Sequence, residues 1–220
     1  MVQRSRQIRF AVQLTVGALV LLVSAWIFGA IAEDVVTGDP LTSVDRVVAN
    51  WLHAHATPTV TRAMFAAAEL AGPRVITAVA VVMAIVLAWR RLWHWLLALG
   101  LVVPGGALLN ELLKVAFRRA RPTFETPILV LTDYGFPSGH AMSATLLYGF
   151  IGLFLVTIVP SWRCRSFILV AVGALIALVG FSRMYLGAHY LSDILAAIAA
   201  GVAWLALSLS AVAMLRHRQL

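Results

Sequence analysis

Long apolar runs constrain this chain more than any other feature of its sequence. A helix that spans a bilayer needs about 20 consecutive apolar residues, and six runs of roughly that length occur, at residues 10–32, 72–89, 92–113, 138–159, 166–184 and 190–215. Of the 220 residues, 62% are hydrophobic and 12% are charged, which is more apolar than a soluble domain. The sequence therefore predicts an all-α, polytopic membrane protein with six transmembrane helices, organised as a single domain over residues 1–220.

A shorter helix is expected after the first apolar run. Apolar residues recur there at helical spacing, with polar residues opposite: Leu41, Val44, Val47, Val48 and Leu52. This pattern predicts a short amphipathic helix on the membrane surface. The second transmembrane helix has an indistinct start because Glu69 and Arg74 lie there. We expect it to extend backward as a helix lying partly at the interface.

The first apolar run also has features of a cleaved signal peptide. Basic residues precede it, and the sequence AIA at Ala30 to Ala32 resembles a cleavage site. The run is longer than the roughly 7–15 apolar residues of such peptides. We therefore expect it to be retained as a transmembrane helix.

The distribution of positive charge predicts the orientation. If the spans alternate sides, one face receives most of the short-loop cations: Arg4, Arg6, Arg9, Arg90, Arg91, Arg163, Arg165, Arg216 and Arg218. This face is predicted to be cytoplasmic, with both termini inside. The opposite face receives an unusual number of cations for an exterior side: Arg46, Arg62, Lys114, Arg118, Arg119, Arg121 and Arg183. The formal net charge is +8, but the cations are dispersed between apolar runs, so no nucleic-acid partner is expected.

The first exterior cluster is the segment KVAFRRARP. Lys114 and Arg121 are seven residues apart, about two helical turns, which predicts that both project from one face at the end of the third span. A planar guanidinium and an ammonium together suit an oxyanion such as phosphate. The alternative is that these basic side chains extend toward lipid headgroups, and the segment alone does not decide between the two.

The second cluster is the segment GFPSGHAMSA. Ser138 is placed as the N-cap of the fourth span, so the amides of Ser138, Gly139 and His140 are expected to point outward at the positive end of the helix dipole. A phosphate could bind there, Gly139 would let it approach the backbone, and His140 titrates near neutral pH. The alternative is an ordinary helix start with an interfacial histidine.

The third cluster is the segment SRMYLGAHYLSD. His189 and Asp193 are four residues apart, which predicts that they stack on one helical face. A carboxylate beside one imidazole nitrogen fixes the tautomer and makes the other nitrogen more nucleophilic, and Arg183 adds a second guanidinium. An aspartate inside an apolar helix indicates function by default. The alternative is a structural His–Asp pair that caps the sixth span.

Together, the three clusters resemble the signature motifs of the type 2 phosphatidic acid phosphatase family, K-x6-R-P, P-S-G-H and S-R-x5-H-x3-D, and every fixed position is matched. The resemblance implies that His189 is the nucleophile, Asp193 its orienting partner and His140 the acid for the leaving group. It further implies a set of phosphate-binding residues: Lys114, Arg121, Ser138, Gly139 and Arg183.

The function implied by this resemblance is that of a lipid phosphatase in a bacterial inner membrane. It would hydrolyse a lipid phosphate or diphosphate at the outer face, through a phosphohistidine intermediate. Candidate substrates are phosphatidic acid, phosphatidylglycerophosphate and undecaprenyl diphosphate, and the motifs contact only their phosphate. Arg118 and Arg119 would suit a diphosphate, although basic interfacial residues need no such role.

No metal or other cofactor is expected, because three cations and a helix N-terminus can neutralise the phosphoryl oxygens. His53 and His55 come nearest to a metal-binding pattern on the exterior side, and no carboxylate residue lies beside them in the sequence.

The expected partners are the lipid substrate and membrane lipids. Two other functions stay open: a transporter or permease, since intramembrane charges also mark permeation paths, and an enzyme like the vanadate-dependent haloperoxidases, which have a similar site but are soluble.

Overall fold

The fold is a bundle of α-helices, described by a computed structural model for residues 2–38 and 40–218. Those residues contain eight helices and no strand: α1 (Val2–Thr37), α2 (Pro40–Ala54), α3 (Pro58–Glu69), α4 (Pro73–Trp89), α5 (Trp93–Phe117), α6 (Gly139–Ile158), α7 (Trp162–Tyr185) and α8 (Leu191–Arg218). Four basic side chains used to predict the orientation lie outside the described part: Arg4, Arg6, Arg9 and Arg218.

Among the described residues, six helical segments are long and apolar enough to cross a membrane: Phe10–Thr37, Pro58–Trp89, Trp93–Phe117, Gly139–Ile158, Trp162–Tyr185 and Leu191–His217. The predicted six-span, all-α architecture is confirmed. The second span is divided, because α3 ends at Glu69 and α4 begins at Pro73. Proline suits the first turn of a helix and disfavours helical backbone in the residue before it, so the break falls there.

The segment predicted to be amphipathic forms α2. Ala49 and Leu52 are buried, whereas Val47 and Trp51 are exposed. α2 packs against α1, α7 and α8. Its position on the membrane surface stays a prediction.

The core lies around α6, which packs against α5, α7 and α8. Met142, Leu147 and Phe150 on α6 are fully buried. α5 can approach closely because Gly106 has no side chain, and a Cβ there would overlap Leu146. α1 packs along α8. These contacts hold the ends of α5, α6 and α8 in fixed positions, which matters because the candidate site is built on those ends.

The two ends of the bundle carry different residues. At one end, the ring of Phe10 stacks on His217 with centroids 3.9 Å apart, and His94 Nε2 lies 3.5 Å from Arg216 Nη1. The third turn of α1, the last turn of α8 and the start of α5 therefore lie together. The end of α5, the start of α6 and the turn between α7 and α8 lie at the other end.

A connection without helix, residues 118–138, joins α5 to α6. α5 ends where Arg118 adopts a left-handed conformation with φ +46°. The N–H of Gly135 donates to the Arg119 carbonyl at 2.9 Å, and Phe136 is fully buried against Phe28 and Phe117. Long connections without regular structure are often functional in compact proteins. This one is held over the end of the bundle where the sequence clusters lie.

Candidate active site

The three sequence clusters meet at the end of the bundle opposite His94 and Arg216. Eight predicted site residues lie there, on the end of α5, the 118–138 connection, the start of α6 and the junction of α7 with α8: Lys114, Arg121, Ser138, Gly139, His140, Arg183, His189 and Asp193. His140 is within electrostatic range of Arg183, His189, Lys114 and Arg121. The site therefore combines two histidines with three cations.

Lys114 and Arg121 converge on one carboxylate, that of Asp133. Lys114 Nζ donates to Asp133 Oδ2 at 2.8 Å, and Arg121 Nη2 donates to both carboxylate oxygens at 2.9 Å. The prediction that Lys114 and Arg121 share a helical face is wrong, because α5 ends at Phe117 and Arg121 lies in the connection. A folded connection, rather than helical spacing, brings the two cations together.

The imidazole of His189 is buried and its two nitrogens have different partners. Nδ1 lies 2.8 Å from the Gly135 carbonyl, and Nε2 lies 3.0 Å from Arg121 Nη1. A carbonyl only accepts and a guanidinium only donates, so these contacts assign the proton to Nδ1 and leave the lone pair on Nε2. This is the tautomer that a nucleophilic histidine needs.

Asp193 lies beside His189 but is positioned by the start of α8. Its Oδ2 is 3.5 Å from His189 Nδ1 and accepts the backbone N–H of Tyr190 at 2.8 Å, the bond of a capping residue at the third helical position. The prediction that His189 and Asp193 stack on one helical face is wrong, because α8 begins at Leu191. The two side chains meet across the helix start instead.

Ser138 is fully buried at the N-cap of α6. Its N–H donates to the Asp193 carbonyl at 3.1 Å, so the prediction that this amide is free and points outward is wrong, because the starts of α6 and α8 pack together. Its Oγ and the Nε of Arg183 are buried and have no hydrogen-bond partner among the described residues. Buried polar atoms are nearly always paired, so both atoms are available to a ligand.

Gly139 places a residue without a side chain next to Asn110 and Lys114. A Cβ at this position would lie 3.3 Å from Asn110 Oδ1 and 4.0 Å from Lys114 Nζ. Asn110 is itself buried, and its amide nitrogen contacts Met142 Sδ at 3.4 Å. Glycine thus keeps space between the first turn of α6 and the Lys114 ammonium.

Arg119 links Asp193 to a residue from α2 that the sequence analysis did not identify. Arg119 Nη1 donates to Asp193 Oδ1, and Nη2 donates to Asp45 Oδ2 at 2.7 Å. Asp45 also accepts the Ser192 N–H at 2.9 Å and the Ser192 hydroxyl. The side chains of Asp45 and Asp193 have no exposed surface. A buried chain of charges therefore runs from α2 through Arg119 to the carboxylate beside His189.

Two of the residues that were missed had a signal in the sequence. Asp45 lies four residues after Leu41 and seven before Leu52, so it interrupts the apolar stripe of the predicted amphipathic helix, where an acid must be paired. Asp133 is an acid in a connection that otherwise carries an excess of cations. The Gly135 carbonyl contact of His189 had no sequence signal.

The charges around the site shift the pKa values of residues outside the membrane spans. Burial alone would raise the pKa of Asp133, but hydrogen bonds and charge from Lys114 and Arg121 lower it to about 2. Burial lowers the pKa of His189, although Asp193 opposes the shift. Burial acts to lower the pKa of Arg119, but Asp193 and Asp45 outweigh it and raise this pKa. At neutral pH, His189 is thus neutral while Asp133 and Arg119 are charged.

Two cavities adjoin the site or the helices that carry it. One, of about 160 Å³, lies beneath the 118–138 connection and is lined by Arg121, Phe124 and Gly187 among others. The other, of about 200 Å³, is apolar and lies between α1, α5 and α8, with Phe28, Leu113 and Trp204 in its wall. Within the described residues there is no group of three or more His, Cys, Asp or Glu side chains that could hold a metal ion.

Comparison with known sequences finds similarity to lipid phosphatases. Residues 94–216 match the sequence model of the PAP2 superfamily. The chain is 37% identical over 115 residues to phosphatidylglycerophosphatase B of Bacillus subtilis, covering 52% of this chain and 56% of that protein. It is 35% identical over 94 residues to undecaprenyl-diphosphatase of Sulfolobus acidocaldarius, covering 40% of this chain and 41% of that protein. The chain thus spans about half the length of the curated relatives it matches.

Comparison with solved structures finds the same fold. The crystal structure of a transmembrane PAP2 type phosphatidylglycerolphosphate phosphatase from Bacillus subtilis superposes with a TM-score of 0.78 and 26% identity, covering 90% of this chain and 96% of that one. LpxE of Aquifex aeolicus superposes with a TM-score of 0.59 and 18% identity, covering 76% and 94%, a similarity of fold alone.

Proposed function

Because this chain belongs to the PAP2 superfamily, we propose that it is a membrane-embedded lipid phosphatase that works through a phosphohistidine intermediate. The arrangement around His189 carries the proposal. Its unprotonated Nε2 faces Arg121 at 3.0 Å, and Lys114 and Arg183 add positive charge on the same side of the bundle. A positioned nucleophile surrounded by cations is what phosphoryl transfer requires.

The phosphoryl group of the substrate would bind among Lys114, Arg121 and Arg183, against the first turn of α6. Support comes from the two buried polar atoms without a partner, Ser138 Oγ and Arg183 Nε, because a phosphate oxygen would satisfy both. The helix N-terminus favours an anion, and the absence of a side chain at Gly139 lets the anion approach the backbone. Together these groups would neutralise the equatorial oxygens of the transition state.

In the first chemical step, His189 Nε2 would attack phosphorus as the bond from phosphorus to the leaving oxygen breaks. His140, in its protonated form, would give its proton to that oxygen, so the alcohol or lipid phosphate leaves uncharged at this position. Asp193 would stabilise the charge on His189 through the Nδ1 proton. The product of this step is phosphohistidine 189 and neutral His140.

In the second step, neutral His140 would take a proton from a water molecule, whose oxygen attacks phosphorus as the bond to His189 Nε2 breaks. Inorganic phosphate is released, and both histidines return to their starting forms. General acid and base help of this kind contributes roughly 10²- to 10⁴-fold in rate. The same residue thus acts as the acid for the leaving oxygen in the first step and as the base for water in the second.

The proposed substrate is a phosphate or diphosphate on a hydrocarbon anchor. The two curated relatives are named for phosphatidylglycerophosphate and undecaprenyl diphosphate, both of which present phosphate at the headgroup level of a membrane. The site lies at one end of the membrane-spanning helices, at that same level, and does not cross the bundle as a permeation path would. We infer phosphatase activity rather than transport for this reason.

The site is proposed to face the exterior of a bacterial inner membrane. In the structure it lies at the end opposite Arg216 and the start of α5. Arg90 and Arg91 lie between α4 and α5, and Arg163 and Arg165 lie in the first turn of α7, at that same opposite end. Short-loop cations of this kind are retained on the cytoplasmic side. The termini would then be cytoplasmic and the site exterior.

Phosphate release by the purified protein tests the proposal. Phosphatidylglycerophosphate, undecaprenyl diphosphate and phosphatidic acid would each be supplied in mixed micelles, with and without a chelator. We expect release from at least one lipid, unaffected by the chelator and abolished in His189→Ala. Activity that is lost on chelation and restored by a metal would contradict the metal-free mechanism, and no release from any lipid would contradict the function.

A further inference from the structure

We propose that the Asp133 carboxylate is an intramolecular competitor of the substrate's phosphoryl group, bound to Lys114 and Arg121 in the empty enzyme and displaced when phosphate binds. This inference deepens the proposed function and rests on it. It starts from the contacts of Asp133, which is neither part of the three motifs nor needed in either chemical step.

The contacts of Asp133 resemble those expected of a bound phosphate. One carboxylate oxygen accepts from Lys114 Nζ at 2.8 Å, and both accept from Arg121 Nη2 at 2.9 Å. Charge-assisted bonds from lysine and arginine are also the usual way in which proteins hold phosphate oxygens. Two of the three cations that the proposed function assigns to phosphate, Lys114 and Arg121, are therefore already occupied.

This occupied arrangement is not the one that reacts. Arg121 Nη1 donates toward His189 Nε2 at 3.0 Å, so the lone pair that must attack phosphorus points at a donor. A phosphoryl group can reach Nε2 only if it replaces the hydrogen bonds that Arg121 makes to Asp133 and His189. These hydrogen bonds of Arg121 therefore have to change before phosphorus can be attacked.

Displacing Asp133 requires little movement. The guanidinium of Arg121 is also held by backbone carbonyls, those of Ala188 at 2.7 Å and Asp133 itself at 2.9 Å. The Asp133 side chain is 53% exposed, whereas those of Lys114 and Arg121 are 12% and 10% exposed. A rotation of the Asp133 side chain would move the carboxylate into water and free Lys114 Nζ and Arg121 Nη2 for a phosphate.

The consequence is weaker binding of every phosphate that uses the site, including the product. Part of the free energy of phosphate binding is used to break the contacts of Asp133. For a half-exposed ion pair, this loss lowers the phosphate affinity by a factor of about ten or less. Inorganic phosphate would leave faster for the same reason, which favours turnover where product release is slow. Asp133 also offsets part of the positive charge of Lys114 and Arg121 when no substrate is bound.

The test compares Asp133→Asn with Glu125→Gln. Both variants remove one negative charge from the 118–138 connection, but Glu125 is exposed, and no ion pair or hydrogen bond of its side chain is seen among the described residues. The probe is inorganic phosphate, titrated calorimetrically into the purified, detergent-solubilised protein, so that no turnover is needed. Melting temperatures of both variants establish that they are folded.

We expect Asp133→Asn to bind inorganic phosphate about tenfold more tightly than the wild type, and Glu125→Gln to bind it with unchanged affinity. The KM for the lipid substrate should fall in the same proportion. Unchanged or weaker phosphate binding in Asp133→Asn would overturn the proposal, and weaker binding would make Asp133 a residue that positions the two cations. Equal tightening in both variants would also overturn it, because a general effect of net charge would then explain the result. A wild type that binds phosphate but hydrolyses no lipid would contradict the proposed function and leave this comparison intact.

Discussion

Removing Asp45 should destabilise the protein although this residue lies on α2, outside all three motifs. Asp45 has no exposed side-chain surface and accepts hydrogen bonds from Arg119 Nη2 at 2.7 Å, from the Ser192 N–H at 2.9 Å and from the Ser192 hydroxyl. Removing one partner of a buried ion pair costs about 3–5 kcal/mol. Arg119 retains Asp193 as a partner, so the lower end applies, about 3 kcal/mol.

In melting temperature, this loss corresponds to a fall of about 6–12 °C in Asp45→Ala, since 1 kcal/mol shifts a chain of this size by about 2–4 °C. Thermal unfolding in detergent, followed by circular dichroism, measures the shift. The kcat should fall as well, because Arg119 would lose the carboxylate that fixes its Nη2 and would hold Asp193 less rigidly beside His189. Glu33→Gln is the control, since Glu33 is an exposed acid on α1, the helix before α2.

A double-mutant comparison isolates the energetic coupling between Asp45 and Arg119. In Arg119→Ala protein, Asp45→Ala should cost at least about 1 kcal/mol less than in the wild type, because the unpaired guanidinium that makes the single substitution costly is gone. Equal costs in the two backgrounds, or a wild-type melting temperature in Asp45→Ala, would refute the argued role of Asp45.

Three further predictions follow from individual contacts. Since burial lowers the pKa of His189 from 6.5 and the neutral form attacks, kcat/KM should fall on the acid side only below pH 6.5, after correction for ionisation of the substrate; a midpoint above that value would contradict the assignment. Ser138→Ala should raise KM by about tenfold without lowering the melting temperature, because its hydroxyl has no partner to lose; a lower melting temperature with unchanged KM would reverse this interpretation. In a Cys164→Ser background, a cysteine introduced at the exposed Thr132 position should react with an impermeant thiol reagent in intact cells, whereas labelling only after lysis would place the site inside.

The architecture was predictable because a bilayer imposes a length on every span. Six apolar runs sufficed to place six helices, and the main departures are at helix ends. The third apolar run ends at residue 113, whereas α5 continues to Phe117, because Lys114 can lie in the last turn of a helix with its ammonium toward the interface. The break between α3 and α4 lies just before Pro73, and this proline could have predicted it from the sequence.

The identity of the site residues was predictable from their motifs, but their geometry was not. Helical spacing suggested how Lys114 would meet Arg121 and how His189 would meet Asp193, and in each pair one residue lies outside the helix. Periodicity describes neighbours within a helix, and it carries no information about a connection that folds back on itself. Asp133 is brought to the site only by such folding.

The central claim is that His189 becomes covalently phosphorylated, and a single-turnover burst tests it most directly. Purified protein would be mixed with a labelled aryl phosphate or a labelled lipid alkyl phosphate and quenched in alkali, in which phosphohistidine is stable. We predict a phosphoenzyme burst in the wild type with both substrates and none in His189→Ala. His140→Ala should retain much of the burst with the aryl phosphate, whose phenoxide leaves without a proton, and lose it by about 10²- to 10⁴-fold in rate with the alkyl phosphate. Equal losses for both substrates in His140→Ala would refute its role as the acid, and a burst that survives in His189→Ala would contradict the mechanism itself.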